Sequence, residues 1–100
     1  MIIILCTTNN LDNAKNIAGA LVNEHLCACV NILPKISSVY KWEGKIVNDD
    51  EYLLIIKTKD DLFDKIESRI KELHPYKVPE IISINVSNAS KDYINWVNSI

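Results

Sequence analysis

Five side chains in this chain of 100 residues are of the types that soft and borderline metal ions prefer: Cys6, His25, Cys27, Cys29 and His74. Thiolate and imidazole groups suit Cu(I), Cu(II) and Zn(II). The spacing His25-x-Cys27-x-Cys29 would bring three of them to one face of a strand, because alternate residues of a strand share a face. It lacks the paired Cys-x₂-Cys spacings of a structural zinc site, and free cysteines often pack as small apolar groups. Both a ligand role and a packing role therefore stay open.

A second set of residues combines aromatic rings with one charge of each sign: Tyr40, Trp42, Lys57, Tyr76 and Glu80. Such a mixture is typical of clefts that hold a small ligand, since the rings supply contact area and the charges fix its orientation. Each residue also has a simpler interpretation. Aromatic residues are enriched in subunit interfaces, and Lys57 could form an ion pair with Glu80.

Catalytic motifs are missing from the sequence. Neither histidine lies beside a Gly-x-Ser-x-Gly or comparable nucleophile motif. Gly19 and Gly44 stand alone, which excludes a glycine-rich phosphate loop, and the sole arginine, Arg69, lies within a predicted helix. We therefore expect that the protein is not an enzyme.

Length and charge restrict the class of protein further. The chain has the size of one domain, and its composition, with 48% hydrophobic residues, provides for a core, so we predict a single domain covering residues 1–100. Its 11 Lys and Arg against 13 Asp and Glu give a net charge of −2. Binding to a phosphate backbone requires a basic excess, so we expect no nucleic-acid partner.

The cysteine count and the opening residues bear on location. Three cysteines are an odd set, which argues against a disulfide framework and for a reducing compartment. The apolar run at residues 1–6 lacks the features of a signal peptide and is far shorter than a membrane-spanning helix. We therefore expect a cytoplasmic protein that does not insert into a membrane.

The residues just discussed must be positioned by secondary structure, and the first third of the chain predicts strand, helix and strand. Residues 2–6 are continuously apolar, as in a strand covered on both faces. Asn10 can cap a helix over residues 11–24, where apolar residues recur at helical spacing. Residues 27–33 predict a second strand, which Pro34 should end because proline cannot donate to a sheet ladder.

The middle of the chain predicts a hairpin. Residues 36–42 alternate in polarity, Glu43-Gly44 supplies a turn, and residues 45–58 form the return arm, which contains the apolar run Leu53-Leu54-Ile55-Ile56.

The final third predicts helix, strand and helix. Asp60 and Asp61 provide cap oxygens for a second helix that should stop at His74-Pro75. Residues 82–86 alternate like a half-exposed strand, and a short terminal helix should begin near Ser90.

This order of elements is β-α-β-β-α-β with a C-terminal helix, which predicts an α+β, ferredoxin-like sandwich with an extended hairpin between its second and third strands. In that fold the first and third strands are central, and they are the two whose sequences are apolar on both faces. Both main helices cover one face of the sheet, so the other face stays apolar and open. Such a face predicts an oligomer, unless the terminal helix covers it within one chain.

Several segments of the chain resemble the divalent-cation-tolerance family, often called CutA. They run in family order over nearly the whole sequence, and they are Cys6-Thr7-Thr8, Ala28-Cys29-Val30-Asn31-Ile32, Ser38-Val39-Tyr40-Lys41-Trp42-Glu43-Gly44, Lys57-Thr58, His74-Pro75-Tyr76-Lys77-Val78-Pro79-Glu80-Ile81 and residues 93–97. The resemblance implies a cytoplasmic homotrimer whose long hairpin reaches neighbouring subunits. It also implies a role in tolerance of copper or another divalent metal ion. An alternative is a non-enzymatic module that binds a small ligand or a protein partner in a cleft between subunits.

The same resemblance singles out two candidate metal ligands, Cys6 and His74, which lie at positions associated with copper in a characterised relative. The match is partial. Leu73 stands where a relative carries a second histidine, and Lys77 stands where many relatives carry glutamate. A complete metal site would then need ligands from a neighbouring subunit or from water.

Overall fold

A computed structural model describes Met1–Ile100 and contains four strands and three α-helices. In chain order these elements are β1 (Ile2–Thr8), α1 (Leu11–Asn23), β2 (Cys29–Trp42), β3 (Lys45–Thr58), α2 (Phe63–Leu73), β4 (Ile82–Asn85) and α3 (Lys91–Asn98). A short 3₁₀ turn, Asp60–Leu62, precedes α2. The predicted order of elements and the α+β, ferredoxin-like class are confirmed.

The strands form one antiparallel sheet in the order β2-β3-β1-β4. The central positions of β1 and β3, predicted from their apolar sequences, are thus confirmed. In the register, Ile4 pairs with Ile56 on one side and with Ser83 on the other. Its neighbour Leu5 pairs with Ile55 and Ile82. Ile4 and Leu5 point to opposite faces of the sheet, so each of them, with its cross-strand neighbours, marks one of the two faces.

The face that carries Ile4 is the core face. Helices α1 and α2 pack on it, and together they form one cluster of buried residues: Ile2, Ile4, Cys6, Ala14, Ile17, Leu21, Cys27, Leu54, Ile56, Ile66 and Ile70. Asn10 caps α1 as predicted, because its side chain accepts a hydrogen bond from the Asn13 N–H at 2.7 Å. Asn13 in turn donates to the Leu73 carbonyl at 3.1 Å and so joins the two helices.

The face that carries Leu5 is only partly covered within one chain, and we call it the open face. Helix α3 contacts β3 and buries Val97 outside the main core cluster. Ile82 and Ile84 nevertheless stay 51% and 50% exposed. The terminal helix therefore does not seal this face.

Pro34 does not end β2, contrary to the sequence prediction. The strand continues to Trp42, and its register with β3 shifts between Leu33 and Ile36. Lys35 adopts a positive φ of 52° at this irregularity. An edge strand tolerates proline because one row of its backbone groups has no strand partner, and β2 is an edge strand.

The predicted segment with three potential metal ligands is also different in the structure. β2 begins at Cys29, not at Cys27, and His25 is an exposed residue with a positive φ of 59° just after α1. Cys27 is buried in the core, whereas Cys29 is half-buried opposite Lys57. The three side chains therefore do not lie along one strand face.

The start of α2 differs from the prediction as well, because no side-chain cap bond forms there. The Asp60 carboxylate instead contacts the amino group of Met1 at 2.7 Å. The predicted end is confirmed, since α2 stops at Leu73 and the His74 N–H donates to the Ile70 carbonyl. None of the helices is long and apolar enough to cross a membrane.

Candidate functional site

An open cavity of about 590 Å³ lies where the hairpin meets the segment that follows α2. Four of the five predicted ligand-contacting residues line it: Tyr40, Trp42, Tyr76 and Glu80. The remaining lining residues are Thr7, Ser38, Val39, Glu51, Lys77 and Val78. The structure thus brings together side chains that are up to 73 positions apart in the chain.

Two elements position the aromatic rings. Tyr40 and Trp42 are alternate residues of β2 and therefore share a face, opposite Val47 and Lys45 of β3. Tyr76 comes from the segment after α2, and its ring lies 4.7 Å from the His74 ring, centroid to centroid. Both Tyr40 and Trp42 keep much of their surface free, at 41% and 56% exposure.

Lys57, the fifth predicted residue, lies elsewhere. It is near the far end of β3, where it pairs with Ile3 and Cys29, and its ammonium group donates to the Asn31 side chain. The ion pair with Glu80 that the sequence suggested does not form. The cation at the cavity is Lys77 instead.

Glu51 is a site residue that the sequence analysis missed. It is only 6% exposed, and its Oε2 accepts a hydrogen bond from the Tyr76 hydroxyl at 2.7 Å. A second phenol–carboxylate pair lies nearby, in which the Tyr40 hydroxyl donates to Asp49 Oδ2 at 2.5 Å. The one feature of the sequence that could have indicated Glu51 is strand alternation, which puts it on the same face of β3 as Leu53 and Ile55.

Both phenols of the cavity stay protonated at neutral pH. Burial, followed by the hydrogen bond to Glu51, raises the pKa of Tyr76 well above its usual range. The hydrogen bond to Asp49 is the main cause that raises the pKa of Tyr40. Each hydroxyl is therefore a hydrogen-bond donor to its carboxylate.

Cys6, the first predicted metal ligand, lies in the core face of β1 and is fully buried. Burial, reinforced by the negative charges of Glu80 and Glu51, raises its pKa to about 12. The thiol is therefore protonated at neutral pH. A metal ion that binds the thiolate has to displace this proton.

His74, the second predicted ligand, is also buried, and both of its ring nitrogens have partners. Nδ1 accepts a hydrogen bond from the Tyr76 N–H at 3.1 Å, so this nitrogen carries no proton. Nε2 lies 2.7 Å from the Thr7 carbonyl oxygen and must be the donor. The imidazole is thus a neutral ring that ties the end of α2 to β1.

The two predicted ligands meet at one backbone group, the carbonyl of Thr7. His74 Nε2 contacts it at 2.7 Å, and Cys6 Sγ lies 3.9 Å from the same oxygen. No three His, Cys, Asp or Glu side chains are grouped so that they could hold a metal ion. Within one chain the pair provides two potential ligands, neither of which lines the cavity, and any further ligand must come from outside this group.

Comparison with known proteins gives one consistent family. Residues 2–100 match the family described as CutA1 divalent ion tolerance protein. A divalent-cation tolerance protein CutA from Thermus thermophilus is 43% identical over 95 residues, which cover 95% of this chain and 92% of the relative. The chloroplastic protein CutA 1 of Oryza sativa is 42% identical over 98 residues, which cover 98% of this chain and 55% of the relative. This chain spans about half the length of the plant and mammalian relatives it matches.

Solved structures agree with the sequence match. The structure of the Thermus thermophilus protein has a TM-score of 0.94 at 43% identity, covering 97% of this chain and 95% of its own. The periplasmic divalent cation tolerance protein CutA from Archaeoglobus fulgidus has a TM-score of 0.96 at 35% identity, covering 99% and 97% of the two chains. Because sequence and fold both match over nearly the full length, the chain belongs to the CutA1 divalent ion tolerance protein family.

Proposed function

We propose that the protein contributes to divalent-cation tolerance by binding copper or another divalent metal ion, as a homotrimer and without catalysing a reaction. The observation that carries the metal proposal is the meeting of Cys6 and His74 at the Thr7 carbonyl, in a chain of this family. A thiol and an imidazole are a ligand pair suited to copper.

The geometry predicts weak binding that strengthens with rising pH. The Cys6 thiol has to lose its proton, and its pKa is raised to about 12. The His74 ring has to give up its contact with the Thr7 carbonyl or with the Tyr76 N–H. Both requirements reduce the affinity, and the first becomes less costly as protons become scarce.

Titration with copper and zinc under reducing conditions tests the metal proposal. Cys6→Ser and His74→Gln should each lower the affinity, whereas Cys29→Ser, at a half-buried cysteine outside this pair, should leave it unchanged. Unchanged affinity and stoichiometry in the first two variants would refute the proposed ligands.

An oligomer is proposed because one chain leaves apolar surface and strand edges uncovered, and three subunits are proposed because the family resemblance implies a trimer. Ile82 and Ile84 are half exposed on the open face, and β2 and β4 are both edge strands. Uncovered strand edges pair readily with other chains. Sedimentation equilibrium should give three times the chain mass of 11.4 kDa, and a monomer at micromolar concentration would refute the assembly.

A cytoplasmic location is also proposed, from the three cysteines, which are all free. Related proteins are described differently, as chloroplastic in Oryza sativa and periplasmic in Archaeoglobus fulgidus. Fractionation of cells that produce the tagged chain, with marker proteins for each compartment, tests the location. Recovery outside the cytosolic fraction would refute it.

A second proposed function is binding of a small ligand in the cavity. The specific observation in its favour is that Tyr40, Trp42, Tyr76 and Glu80 line one cavity of about 590 Å³, a volume within the range of small-molecule sites. Trp42→Ala should then abolish ligand binding, measured at a concentration where sedimentation shows the variant to be assembled, while leaving the Cys6 and His74 pair intact.

A further inference from the structure

Glu51 is an almost buried carboxylate with no cation beside it. It forms none of the ion pairs in the structure, and its only hydrogen bond is the one that Oε2 accepts from Tyr76. No fully buried side-chain oxygen lacks a partner, so Oε1 retains access to the cavity that Glu51 lines. Burying a carboxylate without a positive partner is costly. The free oxygen is therefore suited to a cationic donor from outside the chain.

The surroundings of this oxygen favour an organic cation. Tyr40 and Trp42 line the same cavity and keep about half of their surfaces free within one chain, so in the proposed trimer the cavity lies at a subunit boundary. Aromatic faces attract cations through the negative charge of their π systems and also provide apolar contact area. A group that is positive at one end and apolar at the other matches both features.

The charges around the cavity are mostly negative. Glu51 and Glu80 line it, and Asp49 is bound to the Tyr40 hydroxyl. Lys77 is the only positively charged residue in the lining, and it forms no ion pair with either glutamate.

We infer that the cavity binds a primary organic amine, whose ammonium group donates to Glu51 and whose apolar part packs on Trp42 and Tyr40. This inference rests on the second proposed function, the ligand-binding cavity. A bare metal ion suits the cavity less well. Tyr76 already occupies one oxygen of Glu51, and no third His, Cys, Asp or Glu ligand is grouped with the two glutamates.

Three matched probes test the charge of the ligand: 2-phenylethylamine, which is cationic at neutral pH, 2-phenylethanol, which is neutral, and phenylacetate, which is anionic. Each is added to the intact protein while the indole N–H signals of Trp42 and Trp96 are followed by NMR. Trp42 lines the cavity and Trp96 lies on α3, so Trp96 is an internal control. The amine should shift the Trp42 signal at the lowest concentration and leave Trp96 unchanged.

Two substitutions with opposite expected effects sharpen the test. Glu51→Gln keeps an acceptor for the Tyr76 hydroxyl but removes the charge, so it should weaken amine binding by about tenfold or more. Lys77→Gln removes the one nearby positive charge and should strengthen amine binding by about two- to fivefold. An anionic ligand would reverse both signs, and a zwitterion would lose affinity in both variants.

The outcomes separate the two levels of the proposal. If the neutral or anionic probe shifts Trp42 at lower concentration than the amine does, the cavity binds ligands but the inference of an amine is wrong. If copper changes the Trp42 indole signal and the amine does not, the inference of an amine ligand is again wrong. If none of the probes shifts Trp42, the ligand-binding function of the cavity fails as well.

Discussion

The two faces of the sheet carry similar aliphatic residues in very different surroundings. On the core face, Ile4 and Ile56 are completely buried under α1 and α2. On the open face, Ile82 and Ile84 of β4 remain half exposed, and Trp42 on the hairpin at the other edge of the sheet is exposed as well. The core face stabilises the single chain, whereas the open face has apolar area left for association. Stability and assembly should therefore respond to different residues.

The largest effect on stability is expected on the core face. Ile56→Ala should lower the free energy of unfolding by about 2–5 kcal/mol, because the substitution leaves a cavity in a closed core. Ile84→Ala, on the open face, should lower the free energy of unfolding by about 1 kcal/mol at low protein concentration, since Ile84 is half exposed in one chain. Urea unfolding at two protein concentrations measures both. Equal costs for the two variants would contradict the distinction between the faces.

Assembly should depend on the hairpin. Trp42→Ala is expected to weaken association by about 2–4 kcal/mol, as truncation of an interface aromatic commonly does. Val22→Ala is the matched control, because Val22 is an exposed apolar residue on α1. Sedimentation at several concentrations reads out both variants. A Trp42→Ala protein that associates like the wild type would show that the hairpin is not part of the interface.

The faces should also differ in thiol reactivity. Cys6 and Cys27 are buried and burial raises the pKa of each thiol to about 12, whereas Cys29 is half-buried on the open face. A maleimide reagent at neutral pH should therefore label Cys29 first, and all three cysteines only after unfolding. Mass spectrometry of the labelled peptides identifies the order. Labelling of Cys6 at the rate of Cys29 would show that the core face opens readily.

The same two thiols predict a loss of stability in alkali. Folding raises their pKa from 9.0 to about 12, so their contribution is complete below pH 9 and is lost as the pH rises toward 12. Replacing both Cys6 and Cys27 by Ala should flatten this pH dependence, whereas Cys29→Ala should not. Unfolding midpoints between pH 8 and pH 11 measure the slopes. An unchanged slope in the double variant would contradict the role of the buried thiols.

The smallest effects are expected at the helix caps. Asn10 accepts the Asn13 N–H at 2.7 Å at the start of α1, on the core face. Ser90 accepts the Tyr93 N–H at 3.3 Å at the start of α3, outside the main core. Asn10→Ala should lower the free energy of unfolding by about 1 kcal/mol. Ser90→Ala should lower it by less, because the Ser90 hydrogen bond is longer and α3 contributes less to the core. Thermal unfolding of the two variants compares them, and a larger loss for Ser90→Ala would reverse the expected order.

Much of the fold was predictable because its signals are local. The spacing of apolar residues in α1 and α2, the Asn10 cap and the turn at Glu43-Gly44 all act within a few positions of the chain. Pro34 was misjudged because its effect depends on whether the strand is central or at an edge. That property belongs to the whole sheet, so the residues around Pro34 do not contain it.

The candidate site was predictable only in part. Tyr40 and Trp42 share a face by alternation alone, which the sequence contains. Lys57 was assigned to the site by residue type, although its place in the sheet register is far from the cavity. Glu51 was missed for the converse reason, since its significance comes from the Tyr76 hydroxyl, 25 positions away.

The order of elements, the two central strands and the end of α2 follow from the amino-acid sequence alone, because periodicity and proline act over short distances. Which chemical groups meet depends instead on how the strands and helices are assembled. Folding joins the Thr7 carbonyl to His74, buries Cys27 while leaving Cys29 half-buried, and leaves Glu51 with a phenol but no ion pair. Such contacts depend on strand register and on the crossing of distant segments. A shift of one residue in a strand reverses which face every side chain occupies, and so these contacts follow from the assembled sheet.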